Sequence, residues 1–376
     1  MKLQRLSLVN FRNYKEAHIQ FFEGVHVIYG ENGSGKTSIL EAIHYLALTK
    51  SFRTTNDKNL ILNTEKMFRI QGEFSSGQGT AIQSAIGYSP ANGKSLTVNG
   101  QKAQKFSDYI GEIPLVLLHP ADLTLSQGGP AQRRRFLDIL LSQSSALYLH
   151  SLIQYNRSLR QRNQLLSEAR EGKCDPQLLK SWEENLIAHG TELIRKRQEA
   201  TARLSESVKQ HYRGLSNSED KVKIIYRCNV ETQSNQSLAE AYHRLFEQSR
   251  AKEVEYGTTL PGPHRDDLLF LLSGKPLKDY ASQGEHKTFI IALKLAEFQH
   301  LQQQRLQAPI LLFDDIFGEL DANRIQQMLQ QLGHIGQVFI TTTSRNFFDK
   351  MGPASISDLP IHYYRVEDGG VAATEA

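Results

Sequence analysis

Apolar positions follow different patterns in different parts of this chain of 376 residues. Short continuous apolar runs at 25–29 (VHVIY) and 309–313 (PILLF) predict buried strands. Alternating runs at 68–74, 80–88 and 95–98 are separated by Ser-Gly and Asn-Gly turns, which predicts an antiparallel β meander. A mixed α/β domain is therefore expected towards both ends of the sequence.

The middle of the chain has helical periodicity. Apolar residues recur at helical spacing from 131 to 213, and the run breaks once at 172–176, which predicts two long antiparallel helices joined by a short turn. A third helix is expected at 238–252. The predicted division is an N-terminal half-domain at 1–120, a helical insertion at 121–255 and a C-terminal half-domain at 256–376.

A glycine-rich stretch follows the apolar run at 25–29 and precedes a helix whose apolar residues share one face. Its sequence, GENGSGKT, fits the phosphate-loop pattern of a glycine, four free positions and then Gly-Lys-Ser/Thr. In this pattern backbone amides face an anion, the lysine reaches the β- and γ-phosphates, and the last hydroxyl ligates magnesium. The residues predicted to bind a nucleoside triphosphate are Gly30, Glu31, Asn32, Gly33, Ser34, Gly35, Lys36 and Thr37.

An acidic site is expected where the apolar run at 309–313 ends. Asp314 and Asp315 follow this strand, and ligands of doubly wound sheets bind at the carboxyl edge of the strands. Asp314 is predicted to hold Mg²⁺ together with Thr37, and Asp315 to act as the carboxylate that orients or deprotonates water. Lys36 and Asp315 are therefore the candidate catalytic residues.

A third motif opens a later helix. The stretch 281–285 (ASQGE) resembles the signature motif of ABC-type ATPases, where a Ser side chain, a Gly amide and the helix dipole contact a γ-phosphate. The matching residues are Ser282, Gln283 and Gly284. In that class the motif completes the nucleotide site of a second subunit, and a D-loop, here 318–321 (GELD) with Asp321 at its end, lies across the dimer interface.

Two alternatives to this signature assignment are open. The stretch also fits an ordinary capping box, with Ser282 as the N-cap and Glu285 three residues later. A second stretch, 126–129 (SQGG), looks more like the ABC consensus, but no acidic strand follows it at the expected distance. Order and spacing favour Ser282.

The order of these motifs is similar to that of the RecF family, bacterial recombination and repair ATPases related to the ABC and chromosome-maintenance ATPases. The likeness extends to about residue 345 and rests on LVNFRNY (8–14), GENGSGKTSILEAI (30–43), KSFRT (50–54), HPADL (119–123), RRRFLD (133–138), GPHRDDL (262–268), SQGEHK (282–287) and DDIFGELD (314–321). It implies an α/β fold of the ABC-type phosphate-loop ATPase head, in which a split sheet domain with an antiparallel meander carries an inserted helical domain.

The resemblance also implies an activity and partners. It implies a protein that binds ATP and Mg²⁺, forms an ATP-dependent homodimer, and binds DNA at gaps or at junctions of single and double strands. The implied processes are recombinational repair, replication restart and the SOS response, with RecO and RecR as partners. Arg12 falls where related ATPases place a basic residue that contacts phosphate, and a plain surface arginine is the alternative.

Departures from the ABC pattern favour slow hydrolysis. The region of the usual glutamine reads HPAD (119–122), and the position of the usual histidine reads TTTS (341–344). Asp315 replaces the usual glutamate and is one methylene shorter. We therefore expect bound ATP to hold the dimer together until its slow hydrolysis releases the two copies.

Net charge and cysteine content bear on the kind of partner and on the cellular compartment. The formal net charge of +4 and the pI near 8.8 are compatible with a nucleic-acid partner. The two cysteines, Cys174 and Cys228, have no metal or redox spacing and suit a reducing compartment. The sequence shows no signal-peptide pattern and no apolar stretch long enough to span a membrane, so a cytoplasmic protein is expected.

Basic residues cluster on the predicted helices of the insertion, at 133–135 (RRR), at Arg157, Arg160 and Arg162, and at 195–197 (RKR). Point charges suffice to contact the phosphate backbone, and no aromatic residues are interleaved to stack single-stranded bases. We therefore predict a sequence-independent grip on duplex DNA by Arg157, Arg160 and Arg162. The alternatives are a solvated helix face and, for the cluster at 133–135, an anchor of its helix against the ATPase core.

Two other function classes share the phosphate loop. The ATPase subunit of a membrane transporter would carry the glutamine and histidine noted above, and a smaller helical lobe. A phosphate-transferring kinase would leave 282–285 and 319–321 unexplained. Both fit the sequence less well than an ATP-gated DNA-repair ATPase.

Overall fold

The structure, a computed structural model, describes residues 1–77, 79–170, 176–216, 221–234, 236–315, 336–343 and 360–374. The strands are β1 (Lys2–Phe11), β2 (Tyr14–Gln20), β3 (Gly24–Tyr29), β4 (Phe68–Ser75), β5 (Ala81–Ser89), β6 (Gly93–Val98), β7 (Gln101–Lys102), β8 (Leu115–Leu118), β9 (Val222–Arg227), β10 (Asp267–Leu272), β11 (Lys275–Pro276), β12 (Ile310–Phe313), β13 (Gln337–Thr342), β14 (Ile361–Glu367) and β15 (Gly370–Thr374). The α-helices are α1 (Lys36–Leu48), α2 (Leu123–Gln127), α3 (Pro130–Ser144), α4 (Ala146–Arg170), α5 (Pro176–Ser216), α6 (Leu238–Tyr256), α7 (Leu277–Tyr280) and α8 (Gln283–Arg305). Short 3-10 turns lie at Asp57–Leu60, Phe106–Asp108 and Pro120–Asp122.

The chain divides into two compact units. The ATPase unit consists of Met1–Leu123, Gln210–Glu219 and Ser282–Ala376, and the inserted unit consists of Thr124–Lys209 and Asp220–Ala281. The insertion therefore extends to Ala281 and not to the predicted residue 255. The reason is that β10 pairs with β9, so it completes a small sheet of the insertion instead of returning to the ATPase sheet.

A six-stranded sheet with the order β15-β14-β3-β13-β12-β8 forms the base of the ATPase unit. All neighbouring strands in it are parallel except β14 and β15. β12 and β13 are buried along their whole length, as expected for strands covered on both faces. Because these strands are parallel, the carboxyl ends of β3, β8, β12 and β13 lie along one edge of the sheet, where ligands of such sheets bind.

The predicted meander is part of a second, antiparallel sheet with the order β2-β1-β4-β5-β6-β7. Side chains of β4 alternate between fully and partly buried positions, which is the pattern of a strand with one face on a core. α1 contacts strands of both sheets, including β4 and β13. An apolar core that includes Leu46, Phe68 and Phe339 joins these layers.

The C-terminal hairpin of β14 and β15 is not predicted by the sequence pattern. β14 adds to the parallel sheet beside β3, with Tyr364 opposite Ile28, and β15 returns antiparallel to it. The sequence pattern at 322–332 predicts a further helix, and these positions lie outside the described residues. No helix in the described part of the chain is both long enough and apolar enough to cross a bilayer.

The inserted unit is mainly helical and contains the small sheet β11-β10-β9. An apolar core that includes Tyr155, Leu186 and Phe246 joins α4, α5 and α6. The first of the two predicted long helices is two helices, α3 and α4. Ser145 between them has an extended backbone, and its hydroxyl accepts a hydrogen bond from the Tyr148 N–H at 3.2 Å, so this serine starts α4 as an N-cap residue.

Candidate nucleotide-binding site

The phosphate loop lies between β3 and α1, as predicted. Gly33 and Gly35 have φ values of 84° and 118°, a region that favours glycine. A Cβ atom at Gly35 would lie 2.5 Å from Asn13 Nδ2 and 2.7 Å from the Tyr14 hydroxyl oxygen. No side chain among the described residues caps the N-terminus of α1, and its first turn holds no acidic residue. The partial positive charge of this helix end is therefore free to attract an anion.

Two residues of the β1–β2 hairpin support the phosphate loop from outside. The Asn13 side chain donates a hydrogen bond to the Ser34 carbonyl oxygen at 2.8 Å, and the Tyr14 hydroxyl donates one to the Gly35 carbonyl oxygen at 3.0 Å. These contacts bind two carbonyl groups of the loop to the hairpin. Sequence reasoning assigned no role to Asn13 or Tyr14, although both belong to the LVNFRNY motif.

Lys36 is folded over its own loop. Its ammonium group donates hydrogen bonds to the carbonyl oxygens of Gly30 and Glu31, at 2.8 and 2.7 Å. Burial lowers the pKa of Lys36, and the charges of Asp315 and Asp314 oppose this shift. Carbonyl oxygens are weaker partners for an ammonium group than phosphate oxygens are, so this lysine can exchange them for an anionic ligand.

The phosphate loop meets the acidic strand end directly. Thr37 Oγ1 donates a hydrogen bond to Asp314 Oδ1 at 2.7 Å, although 277 positions separate the two residues in sequence. Thr341 Oγ1, at the end of β13, donates to the same carboxylate oxygen at 2.9 Å. The hydroxyl and the carboxylate offer the oxygen ligands that Mg²⁺ prefers, and Mg²⁺ sites at nucleotides commonly use few protein ligands. Thr37 and Asp314 therefore fit the predicted magnesium site.

Asp315 directly follows Asp314 at this edge and is exposed. Its backbone is in the left-handed region, with φ 48°, and its N–H donates a hydrogen bond to Thr341 Oγ1 at 2.9 Å. Conformations of this kind are sparsely populated for residues other than glycine, and they cluster at functional sites. The general-base role of Asp315 stays a prediction.

Comparison with known proteins assigns the chain to a family. The model described as RecF/RecN/SMC N terminal domain matches residues 2–361. A DNA replication and repair protein RecF of Halalkalibacterium halodurans is 38% identical over 375 residues, which are 99% of this chain and 99% of the relative. The chain belongs to the RecF family. A RecF of Chloroherpeton thalassium is 36% identical over 365 residues, which are 96% of this chain and 99% of the relative.

Solved structures of RecF have the same fold. A structure of the recombination mediator protein RecF-ATP in the RecFOR pathway has a TM-score of 0.89 at 31% identity, and the match covers 99% of this chain and 97% of that chain. A structure of RecF-ATPrS gives a TM-score of 0.90 at 31% identity and covers 100% and 98%. An Smc head bound to a domain of ScpA shares the fold at 16% identity and a TM-score of 0.54. The predicted ABC/SMC-like ATPase head is confirmed.

The signature-like stretch of this RecF-family chain lies at the N-terminus of α8. Ser282 is exposed, its hydroxyl accepts a hydrogen bond from the Glu285 N–H at 3.3 Å, and the Glu285 carboxylate accepts one from the Ser282 N–H at 2.6 Å. The capping box is therefore present, and an exposed N-cap does not prevent a later contact with a nucleotide. The nucleotide contacts of Ser282, Gln283 and Gly284 stay predictions. Asp321 lies outside the described residues.

The competing stretch at 126–129 is engaged within the insertion. Ser126 is 1% exposed, and the Gly128 carbonyl oxygen accepts a hydrogen bond from Arg133 Nη1 at 2.8 Å. A buried serine cannot reach the nucleotide of another subunit. The choice of Ser282 over Ser126 is consistent with this difference in exposure.

Arg12 is paired with a buried carboxylate. Its Nε and Nη2 donate hydrogen bonds to the two oxygens of Glu41 at 2.8 and 2.7 Å, and Nη1 donates to the Asn59 carbonyl oxygen at 2.9 Å. The Ser51 hydroxyl donates to the same carboxylate. Arg12 thus links the hairpin to α1 behind the phosphate loop, and its contact with phosphate stays a prediction.

One of the predicted DNA contacts is wrong. Arg162 is completely buried, and its guanidinium donates hydrogen bonds to Glu183, Glu253 and Thr259. A side chain held there cannot touch DNA. The sequence contains a signal for this burial, because Arg162 continues the helical spacing of Tyr155, Leu159 and Leu166. Arg157 and Arg160 are exposed, and their DNA contacts stay predictions.

Proposed function

We propose that this chain is an ATPase of the RecF type that binds ATP with Mg²⁺, dimerises around the nucleotide and binds DNA during recombinational repair. The observation that carries the proposal is the 2.7 Å hydrogen bond between Thr37 and Asp314, because it joins the two halves of a phosphate-loop ATPase site. The related structures named RecF-ATP and RecF-ATPrS support the choice of nucleotide.

Each residue of the site has a task in this proposal. Lys36 exchanges the carbonyl groups of Gly30 and Glu31 for the β- and γ-phosphates, and the amides at the start of α1 bind phosphate oxygens. Asp315 orients the attacking water and accepts its proton. Thr37 and Asp314 hold Mg²⁺, which neutralises negative charge on the phosphates.

The second copy of the chain completes the site. Ser282 and Gly284, at the exposed N-terminus of α8, contact the γ-phosphate of a nucleotide held by the partner, and Asp321 lies across the same interface. Because one nucleotide then contacts two chains, ATP binding and association are linked thermodynamically. Slow hydrolysis ends the association and releases DNA.

In this proposal the inserted unit binds the DNA backbone. Arg157 and Arg160 are exposed on α4 and supply positive charge for a phosphate backbone, without regard to base sequence. The substrates we propose are gaps and junctions of single and double strands, in repair, replication restart and the SOS response. RecO and RecR are the proposed partners, since the related structure belongs to the RecFOR pathway. We also propose a cytoplasmic location.

Replacement of Lys36 by arginine tests the nucleotide site. The larger guanidinium cannot take the position of Nζ among the phosphates, so Lys36→Arg should bind some ATP and lose turnover by a factor of about 10²–10³. Fluorescent-nucleotide binding and phosphate release, each with and without duplex DNA, are the measurements. The wild-type rate should stay below about ten per second, the median of enzymes.

A matched control variant shows whether a lysine-to-arginine change outside the site has the same effect. Lys105 is exposed, and Lys105→Arg should keep both binding and turnover. Equal turnover in Lys36→Arg and wild type would contradict the assignment of the site. A wild-type rate well above ten per second would contradict slow release but not the site itself.

A further inference from the structure

The GPHRDDL motif, 262–268, forms a loop that a buried polar network holds in one conformation. Gly262 has φ 122°, and a Cβ atom there would overlap with the hydroxyl groups of Tyr242 and Tyr155. Its N–H donates a hydrogen bond to Asn229 Oδ1 at 2.8 Å, and the Pro263 carbonyl oxygen accepts one from Arg197 Nη1 at 2.7 Å. Backbone groups on both sides of the turn are therefore fixed.

His264 holds the same loop in place through hydrogen bonds at both ring nitrogens. The Tyr155 hydroxyl donates a hydrogen bond to Nδ1 at 2.6 Å, and Nε2–H donates one to the Thr259 carbonyl oxygen at 3.0 Å. Burial lowers the pKa of His264 to about 4, so the ring is neutral near pH 7. The next residue, Arg265, is exposed, and its guanidinium donates a long hydrogen bond, 3.4 Å, to the Thr259 carbonyl oxygen.

The carboxylates around this loop are already engaged. Asp267 accepts two hydrogen bonds from Arg133, at 2.8 and 3.0 Å. Asp138 accepts one from Arg197 Nη2 at 2.7 Å and another from the Tyr148 hydroxyl.

Asp266, the third of these carboxylates, is also hydrogen-bonded to other groups. It accepts hydrogen bonds from the Asn229 N–H at 2.6 Å and from the Tyr226 hydroxyl. Each of these three carboxylates thus has partners other than Arg134 and Arg265.

Arg134 is bonded to a backbone carbonyl oxygen and not to a carboxylate in the described part of the chain. It is half-buried, and its guanidinium donates one hydrogen bond, from Nη1 to the Asp266 carbonyl oxygen at 2.7 Å. Within the part of the chain that the structure describes, no acidic group lies within ion-pair distance of it, whereas Arg133, Arg162 and Arg197 each have one. Burial, and then the charge of Arg197, lower the pKa of Arg134, and the more distant charges of Asp267, Asp138 and Asp266 oppose this shift. A half-buried cation in this state gains most from an anionic ligand.

We propose that Arg134 and Arg265 form a phosphate-binding site for the DNA backbone, a proposal that rests on the DNA-binding function proposed above. Asp266, whose carbonyl oxygen accepts a hydrogen bond from Arg134, directly follows Arg265. The charges of Arg265 and Arg134 both lower the pKa of His264, so both guanidinium groups lie near this ring. A guanidinium matches two phosphate oxygens at once, and a rigid support lowers the entropy lost on binding. The proposed occupant is a phosphodiester of DNA, since the nucleotide phosphates are assigned above to Lys36 and to the site of Thr37 and Asp314.

The test is a salt titration of duplex DNA binding by the full-length protein. Fluorescence anisotropy gives the association constant at each salt concentration. Each phosphate contact contributes about 0.9 to the slope of log K against log salt, so Arg134→Gln with Arg265→Gln should lower the slope by about 1.8. Arg265→Gln alone should lower it by about 0.9. This single variant changes an exposed side chain, so it remains informative if the double variant is unstable.

Arg195→Gln is the matched control. Arg195 is exposed on α5 and pairs with Glu192 and Glu199, so its loss removes the same formal charge without removing a free cation. Its slope should equal that of the wild type. An equal decrease in Arg195→Gln and Arg265→Gln would overturn the proposal in favour of a general charge effect.

Other outcomes separate this site from the function on which it rests. If the wild type binds duplex DNA and both variants keep its slope, the site is wrong and the proposed function stands. If the wild type does not bind DNA at any salt concentration, the proposed function fails first. If the variants lose affinity for ATP and keep their DNA slope, the site holds a nucleotide phosphate, and the proposal is overturned.

Discussion

Basic residues of the phosphate loop and of the helical insertion differ in their hydrogen-bond partners. Among the described residues, Lys36 donates only to backbone carbonyl oxygens of its own loop, whereas Arg162 and Arg197 are buried against carboxylates. A buried cation that already has a carboxylate supports the fold, because removing either partner leaves the other one unsatisfied. A cation that contacts only carbonyl groups can accept an anionic ligand. By this criterion Arg134 resembles Lys36 more than its neighbours in the insertion.

The largest expected effect in this comparison is the loss of a paired arginine. Arg162→Met leaves Glu183 and Glu253 without their shared partner in a buried position, so it should destabilise the insertion by about 3–5 kcal/mol. Hydrogen exchange of the α4 and α6 amides measures this loss locally. The slope of DNA binding against salt should not change in the folded protein.

Arg157→Met is the control for that variant. It lies on the same helix and is exposed, so its effect on stability should stay within about 0.5 kcal/mol. Equal destabilisation by the two variants would show that the pairing of Arg162 is not what holds these helices together.

A smaller effect is expected from pH. Burial lowers the pKa of His264 from 6.5 to about 4, so the unfolded chain binds a proton more readily than the folded one between these values. The stability that comes from the neutral ring is complete above pH 6.5 and is lost as the pH falls towards 4, by at most about 3 kcal/mol. Hydrogen exchange of β10 from pH 7.5 to 4.5 follows this loss.

His264→Asn removes the titrating ring and keeps a polar group at the same loop. Its β10 amides should lose less protection on acidification than those of the wild type. The same pH dependence in both proteins would mean that other groups, and not His264, control the acid response of the insertion.

The sequence predicts the strand, loop and helix around 30–37 better than the extent of the insertion, and the reason is physical. Phosphate-loop residues are dictated by backbone geometry over eight consecutive positions, so the pattern in 30–37 specifies the site locally. The supporting contacts of Asn13 and Tyr14 depend on a hairpin that meets the loop only in three dimensions. Their role therefore has no local signal.

In the insertion, charge alone does not show which arginines are exposed and able to contact DNA. Arg157, Arg160 and Arg162 carry the same charge, but of the three only Arg162 continues the apolar spacing of α4 and is buried. Partners of Arg162 come from α5, α6 and the following loop, at separations that no short motif contains. The extent of the insertion was missed for the same reason, because β10 pairs with the distant β9.

Sedimentation velocity with and without ATP and Mg²⁺ tests the central claim, that a nucleotide is bound between two copies of the chain. The wild type should sediment as a dimer when ATP and Mg²⁺ are present. Ser282→Arg should bind ATP and remain a monomer, whereas Ser95→Arg, at another exposed serine of the ATPase unit, should dimerise as the wild type does. Full ATP-dependent dimerisation of Ser282→Arg would contradict the account.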